Sequence, residues 1–323
     1  MKIAVAQGDG VGKEVIPPCI DILDLLLEDL EFIKLDIGYA RWAREGAAIT
    51  DADIDLIKQA DCMILGAVTS VPGNSVVVRL RKTLDLFANV RPFESHNLTP
   101  YELNVTIIRE NLEGLYAGVE EISRDAAVTK RVITRHNTER LASFASTLKN
   151  VKRITVVHKA NVLKSDIFFR DVCVRVLQKH EIPYNEMYVD AAAYNLIRHP
   201  QMFDYILTSN LFGDVLSDEA AALIGGLGLC PSANIGADFA IFEPIHGSAP
   251  NIAGRGVANP VGAILSVSLL LDWLGDGEGA ISVKTSVKKT LDQGFRTPDL
   301  GGTSSTEEVA RAIMRNLIAD DFS

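Results

Sequence analysis

Lys2-Ile-Ala-Val-Ala6, followed after one residue by Gly8-Asp-Gly-Val-Gly12 and then by a helix-forming stretch from about Lys13 to Asp29, sets the pattern for the whole chain. The opening run is too short and too uniformly apolar for a half-wet alternating strand. It suits a strand covered by helices on both faces. The same signature returns at Asp61-Cys-Met-Ile-Leu-Gly66, Asn104-Val-Thr-Ile-Ile-Arg109, Arg153-Ile-Thr-Val-Val-His158 and Asp204-Tyr-Ile-Leu-Thr-Ser209. Strands of this kind alternating with helical stretches define an α/β fold. No internal repeat and no low-complexity linker interrupts them, and composition marks no domain boundary.

The chain has 323 residues, 47% of them hydrophobic and 23% charged, which places it among globular proteins with a core that needs no disulfide or metal staple. That length allows one large domain or two moderate ones. The 42 acidic residues against 32 basic ones give a formal net charge of −10. Such a surface repels phosphate backbones and anionic lipid, and no long Lys/Arg run offsets it, so no nucleic-acid partner is expected. The longest apolar stretch, Ala263 to Leu271, stops at Asp272, far short of the ~20 residues that span a bilayer. Met1-Lys2 leads into the first strand with no cleavable signal pattern. Cys19, Cys62, Cys173 and Cys230 are widely spaced, without a CxxC pair, and read as reduced thiols. A cytoplasmic location without membrane attachment is the expectation.

In open α/β sheets, ligands bind outside the carboxyl ends of the strands. The residues there are Gly8-Asp-Gly10, Gly66-Ala-Val-Thr-Ser70, Arg109-Glu-Asn111, Lys159-Ala-Asn161 and Ser209-Asn-Leu-Phe-Gly-Asp214. Asp214 and Asp218 stand four apart in a helix-forming stretch, which puts both carboxylates on one face. Two readings fit them: oxygen ligands of a hard divalent cation, or a solvated acidic helix start favoured by the dipole. Arg79, Arg81, Arg91 and Arg109 form a set able to hold carboxylates bidentately, or else to make surface salt bridges. Lys159, at the end of an apolar strand, is either a partly desolvated acid–base group or half of an ion pair. Tyr116 is either a phenolic proton donor or packing. Gly8-Asp-Gly-Val-Gly12 is not GxGxxG and carries little dinucleotide signal. Gly225-Gly-Leu-Gly228 and His246-Gly-Ser-Ala-Pro-Asn251 read as loops rich in backbone donors, or as ordinary turns.

Longer segments go further. Asp85-Leu-Phe-Ala-Asn-Val-Arg-Pro92, Asn210-Leu-Phe-Gly-Asp-Val-Leu-Ser-Asp-Glu-Ala220, Pro231-Ser-Ala-Asn-Ile-Gly236 and Phe242-Glu-Pro-Ile-His-Gly-Ser-Ala-Pro250, with Gly8-Asp-Gly-Val-Gly12 before them and Leu300-Gly-Gly-Thr303 after, occur in order along nearly the whole chain. Together they resemble the β-decarboxylating dehydrogenase family, which holds isopropylmalate, isocitrate, homoisocitrate and tartrate dehydrogenases. The resemblance implies an isopropylmalate dehydrogenase-like two-domain fold, with a large mixed sheet flanked by helices and no Rossmann fold. Its larger, cofactor-binding domain would be discontinuous, residues 1–94 plus 225–323, around an inserted smaller domain, 95–224, carrying a dimer interface. The resemblance assigns Arg81, Arg91 and Arg109 to the substrate carboxylates and Tyr116 and Lys159 to proton transfer. It assigns Asp190, Asp214 and Asp218 to Mg²⁺ or Mn²⁺. Asp190 and Lys159 would reach into the site of a partner subunit, making a homodimer necessary for activity. His246, Gly247, Ser248, Ala249, Pro250 and Asn251, with Glu243 and Asn259, would bind the nicotinamide cofactor.

Within that family the segment before Arg81 meets the variable part of the substrate. Ser75, Val77 and Val78 stand there, and the two valines offer an apolar wall suited to an isopropyl group. Homoisocitrate enzymes of the bacterial type carry arginine at the place of Val78. Isocitrate enzymes carry a serine and an asparagine, of which Ser75 matches the first and Val77 replaces the second. The expected reaction is therefore oxidative decarboxylation of 3-isopropylmalate. The alternatives are homoisocitrate, isocitrate or a malate- or tartrate-type substrate, with Arg79 able to turn inward as a further cation. Asn251 stands where NAD-dependent members have aspartate, and the Lys-Tyr pair of NADP-dependent members is absent. NAD is the expected cofactor, with weakened discrimination against NADP. A non-catalytic regulatory subunit is the rival reading, but the chain keeps the Tyr, Lys and Asp set that such subunits lose.

Overall fold

Strand pairing accounts for most of the expected apolar runs in the computed structural model, which describes residues 1–71, 75–149 and 151–321. Among the described residues the strands, in chain order, are β1 (Lys2–Ala6), β2 (Glu31–Lys34), β3 (Cys62–Leu65), β4 (Ala88–Glu94), β5 (Asn104–Glu110), β6 (Glu120–Ile122), β7 (Ala127–Thr129), β8 (Ile154–His158), β9 (Tyr184–Tyr188), β10 (Tyr205–Thr208), β11 (Pro231–Ile235) and β12 (Ala240–Pro244). The result is an α/β fold built on a large mixed sheet flanked by helices. The chain divides into two compact units, Met1–Leu80 with Gly225–Ala233 and Asp238–Ser323, and Arg81–Ile224 with Asn234–Ala237.

In the first unit the strand order is β2-β1-β3-β12-β11. Strand β1 runs parallel to both neighbours, Ile3 opposite Phe32 on one side and Cys62 on the other. Its central residues and all of β3 are buried, as a doubly covered strand requires. Edge strand β2 keeps Glu31 and Lys34 exposed, which blunts it against pairing with another chain. The apolar stretch from Ala263 to Leu271 lies inside the helix Val261–Leu274, where Ile264, Val267, Leu270 and Leu271 are fully buried. A helix apolar all round is a core helix here, and no described helix is long and apolar enough to cross a membrane. The helix expected from Lys13 to Asp29 is instead two, Gly12–Val15 and Pro17–Leu26, because the proline that cannot continue one helix opens the next.

In the second unit the order is β4-β5-β10-β8-β9. Strands β5, β10, β8 and β9 are parallel, and β4 runs antiparallel to β5 through seven residue pairs, from Ala88 opposite Glu110 to Glu94 opposite Asn104. That pairing draws residues 81–94 into the second unit, so it begins at Arg81 rather than at residue 95. The carboxamides of Asn89 and Asn111, both buried, donate to Asn234 at 3.1 and 3.0 Å and draw residues 234–237 in as well. Strands β6 and β7 form a separate antiparallel hairpin with Ile122 and Val128 exposed. All four cysteines are buried. Burial pushes the thiols of Cys19 and Cys173 up, and that of Cys62 up to about 12.

Candidate active site

Parallel strands β5, β10, β8 and β9 deliver their carboxyl ends side by side in the second unit, and the candidate residues follow from them. Arg109 stands near the end of β5, Asn210 two residues after β10, Lys159 immediately after β8 and Asp190 two residues after β9. The helix Asn210–Ile224 then carries Asp214 in its second turn and Asp218 one turn on, exposed.

Asp214 is the centre of the cluster. One carboxylate oxygen accepts from Arg109 Nη1 and, at 3.4 Å, from Arg91 Nη1, and the other accepts from the Tyr116 hydroxyl at 2.9 Å. Arg109 also lies over the Tyr116 ring, 5.5 Å from its centroid. Arg91 and Arg109 are buried, so neither makes a surface salt bridge, and Asp214, 37% exposed at its side chain, is paired with both. Burial alone would raise the Asp214 carboxyl, but Arg109, Arg91, the Tyr116 hydroxyl and Arg81 outweigh it and hold it below the usual range. Burial, then Asp214 beside it, raises the Tyr116 phenol. Burial and the repulsion of Arg91 and Arg81 push Arg109 down to about 9, against the attraction of Asp214.

What aims Arg109 was not legible in the sequence. Its Nε and Nη2 both donate to Asn210 Oδ1, at 3.1 and 2.7 Å, and the Asn210 amide donates in turn to Glu110 at 3.3 Å and to the Glu113 carbonyl at 3.1 Å. With the side edge of the guanidinium taken by Asn210, Nη1 faces the Asp214 carboxylate, and the planar group is held in one orientation. The one signal for Asn210 is its place at a strand-to-helix junction. Gly213 completes the seat: a Cβ there would lie 2.7 Å from Arg109 Cβ and Cγ. Gly213→Ala should gain up to about 1 kcal/mol in helix propensity. The contact with Arg109 nevertheless decides the outcome. We expect Tm to stay within a few degrees while kcat/KM falls at least about tenfold; unchanged kcat/KM would show that Arg109 can shift freely.

Lys159 and Asp190 form a second pair, Nζ to Oδ1 2.5 Å, and the Lys159 side chain is 26% exposed. The hydrogen bond from Lys159 lowers the Asp190 carboxyl. Among the described residues no three His, Cys, Asp or Glu side chains gather as a metal group, so one chain does not unite Asp190 with Asp214 and Asp218. The donors themselves are hard carboxylate oxygens, of the kind that Mg²⁺ or Mn²⁺ takes.

The helix Val76–Thr83 places Val77 and Val78, both half-buried, one turn before Arg81. Ser75 is exposed, and its hydroxyl accepts the Val78 N–H at 3.3 Å; Asn74 lies outside the described residues. Arg79 does not turn toward Arg81. It donates to the Ile49 carbonyl at 2.8 Å and to Asp51 at 2.6 Å.

In the first unit the residues after β12 wrap around the turn after β1. Glu243 is half-buried within β12 itself. The Ser248 carbonyl accepts the Val11 N–H at 2.9 Å, its hydroxyl accepts from Thr69 at 2.7 Å, and Ala249 is held at φ +41°, rare for a residue with a Cβ. Asp9, buried and unassigned by the sequence, accepts the N–H groups of Tyr39, Ala40 and Thr69. Burial keeps the His246 imidazole below its usual value, with one ring nitrogen 3.0 Å from the Gly247 carbonyl. Gly247, Pro250 and Asn251 are exposed. The Asn259 side chain is committed, accepting from Val261 N–H and donating to Asp299, both at 3.1 Å.

The molecule is a two-unit α/β protein with an arginine-bound aspartate in one unit and a loop held at a left-handed Ala249 in the other. The chain matches the isocitrate/isopropylmalate dehydrogenase family over residues 2–313 and belongs to it. It is 46% identical to a 3-isopropylmalate dehydrogenase of Methanothermobacter thermautotrophicus, over 98% of both chains. It is 44% identical to a homoisocitrate dehydrogenase of Methanocaldococcus jannaschii, over 97% of both. The crystal structure of isocitrate dehydrogenase from Methylococcus capsulatus superposes with a TM-score of 0.92 at 36% identity, covering 98% of this chain and 99% of that one. The chain is thus an enzyme of the decarboxylating dehydrogenase type, whose members use NAD(P) and a divalent metal.

Proposed function

We propose that the enzyme converts 3-isopropylmalate to 4-methyl-2-oxopentanoate and CO₂, with NAD as hydride acceptor and Mg²⁺ or Mn²⁺, as a cytoplasmic homodimer in leucine biosynthesis. The gathering of Arg81, Arg91 and Arg109 around the single carboxylate of Asp214 carries this reading. Buried guanidiniums that repel one another gain from an added dianion, and the malate half of the substrate is one. Val77 and Val78 supply the apolar wall for the isopropyl group, and Arg79 is paired with Asp51 rather than turned toward Arg81. Exposed Val162, Tyr188 and Tyr194, near Lys159 and Asp190 in sequence, with Ile122 on the hairpin, support a dimer in which Lys159 and Asp190 serve the partner's site.

Asp214 and Asp218, with Asp190 of a second copy, fit a divalent cation, and the loop from His246 to Asn251, with Gly247, Pro250 and Asn251 exposed, fits a dinucleotide. When bound, the cation supplies Lewis-acid polarisation of the substrate hydroxyl and α-carboxylate, and the dinucleotide takes the hydride. Arg91 and Arg109 orient the substrate by its carboxylates. Lys159 receives the hydroxyl proton through water. Tyr116, its phenol raised, stays protonated at neutral pH and returns a proton to the carbon from which CO₂ departs.

The test is NADH and NADPH formation by the purified chain with Mg²⁺, comparing 3-isopropylmalate, homoisocitrate, isocitrate and D-malate, with a chelator as control. We expect the highest kcat/KM for 3-isopropylmalate and loss of activity on chelation. A preference for a tricarboxylate, as the homoisocitrate relative's name suggests, would mean that Arg79 leaves Asp51 to read the third carboxylate. No turnover of any substrate would favour a regulatory subunit. Asn251→Asp should raise the NAD/NADP preference by about tenfold, the effect of roughly 1.4 kcal/mol of charge repulsion on a 2′-phosphate. An unchanged ratio would remove Asn251 from cofactor choice.

A further inference from the structure

Arg131, half-buried, and Asp166, wholly buried, form an ion pair that none of the assigned roles uses. Asp166 is wholly buried in the first turn of the helix Lys164–Lys179, and its Oδ1 lies 2.6 Å from Arg131 Nη2. Its other oxygen accepts the backbone N–H of Lys159 at 2.9 Å. Arg131 donates to Ser209 Oγ at 2.9 Å and lies over the Phe212 ring, 5.1 Å from its centroid. Ser209 and Phe212 flank Asn210, the start of the helix that carries Asp214 and Asp218. The residue after Arg131, Val132, is bridged to Gly114 through two backbone hydrogen bonds of 2.8 and 3.1 Å, two residues before Tyr116. One half-buried guanidinium thus touches the Lys159 turn through Asp166 and the Asp214 helix directly, beside the segment that carries Tyr116.

We propose that Arg131 and Asp166 are positioning residues, which lock the turn bearing Lys159 to the helix bearing Asp214. The proposal rests on the assignment of Lys159 as proton acceptor. A charge pair held in a water-poor interior has a narrow geometric optimum, and with a backbone N–H on one side and a hydroxyl on the other it fixes both segments at once. The contacts of both residues are to the Lys159 turn and the start of the Asp214 helix, so their loss should act on kcat through the placement of Lys159 and leave dinucleotide binding alone.

The test compares wild type with Arg131→Gln, Arg131→Lys and the double variant Arg131→Gln/Asp166→Asn. The double variant removes both charges and leaves neither buried without its counterpart, so it serves where a single variant does not fold. Steady-state kinetics are paired with amide hydrogen exchange. For Arg131→Gln, or for the double variant, kcat should fall at least tenfold while KM for the dinucleotide stays within twofold. The Lys159 amide and the amides of 210–214 should exchange at least tenfold faster, while those of the helix Val261–Leu274 do not change. Arg131→Lys, which keeps the charge, should recover part of the lost kcat. Unchanged exchange at Lys159, or acceleration spread equally over Val261–Leu274, would overturn the proposal. Lys159→Met separates the two assignments. If it retains wild-type kcat, the proton-acceptor reading fails, and the exchange result then decides the locking role by itself.

Discussion

Arg109→Lys is expected to lower kcat/KM by about two to three powers of ten, without rescue by added metal or cofactor. The guanidinium is 2% exposed, and it makes three kinds of contact at once: a side-edge pair to Asn210, an ion pair to Asp214 and a stack on Tyr116. Lysine keeps the charge but has no planar fork, so it cannot hold Asn210 and a substrate carboxylate together. Two charge-assisted hydrogen bonds to substrate, at roughly 1.5–3 kcal/mol each, set the size of the loss. Steady-state kinetics with the best substrate measure it. A drop below about tenfold would mean that Arg91 and Arg81 carry the carboxylates and that Arg109 only braces Asp214.

Gly10→Ala should damage cofactor use more than any other single methyl group added to the first unit. Gly10 has φ +55°, and an added Cβ would lie 1.9 Å from the Ser248 carbonyl oxygen, a backbone atom that cannot rotate away. The left-handed conformation alone costs a β-carbon about 1–2 kcal/mol. The clash must also break the hydrogen bond from Val11 to Ser248, and with it the seat of the loop from His246 to Asn251. We expect KM for NAD to rise at least about tenfold and Tm to fall by roughly 5–10 °C. The rise in Tm that a bound dinucleotide gives the wild type should largely disappear. An unaltered ligand-induced rise, measured by differential scanning fluorimetry, would mean that this loop does not hold the cofactor.

The strands that could be read from residues alone are those buried on both faces. Strands β1, β3 and β8 announce themselves because buried apolar residues dominate them. Strand β4 hides behind Arg91 and Pro92, and β11 behind Ser232 and Asn234, polar residues that are buried all the same. A partner such as Asn111, far away in sequence, makes burial affordable for Asn234. The same reason hides the second unit's true start, since only the pairing of β4 with β5 shows where residues 81–94 belong. In the candidate site the charged residues were legible through the family resemblance, but their supports were not. Asn210 meets Arg109 across 101 positions, and Arg131 meets Asp166 across the helix Arg135–Thr147 and strand β8. Arg79 shows the converse, a cation that sequence leaves free to move and that Ile49 and Asp51 hold.

The buried cysteines turn the molecule into a convenient spectroscopic object. With Cys19, Cys62, Cys173 and Cys230 inaccessible and their sulfurs protonated where burial acts, the native chain presents no competing thiol to a maleimide or a nitroxide reagent. A cysteine introduced for Ile122, 81% exposed at the end of β6, would accept a label in the wild-type background with no prior removal of thiols. Two labels brought together by association of two copies would report their separation directly, and a lone copy would give none.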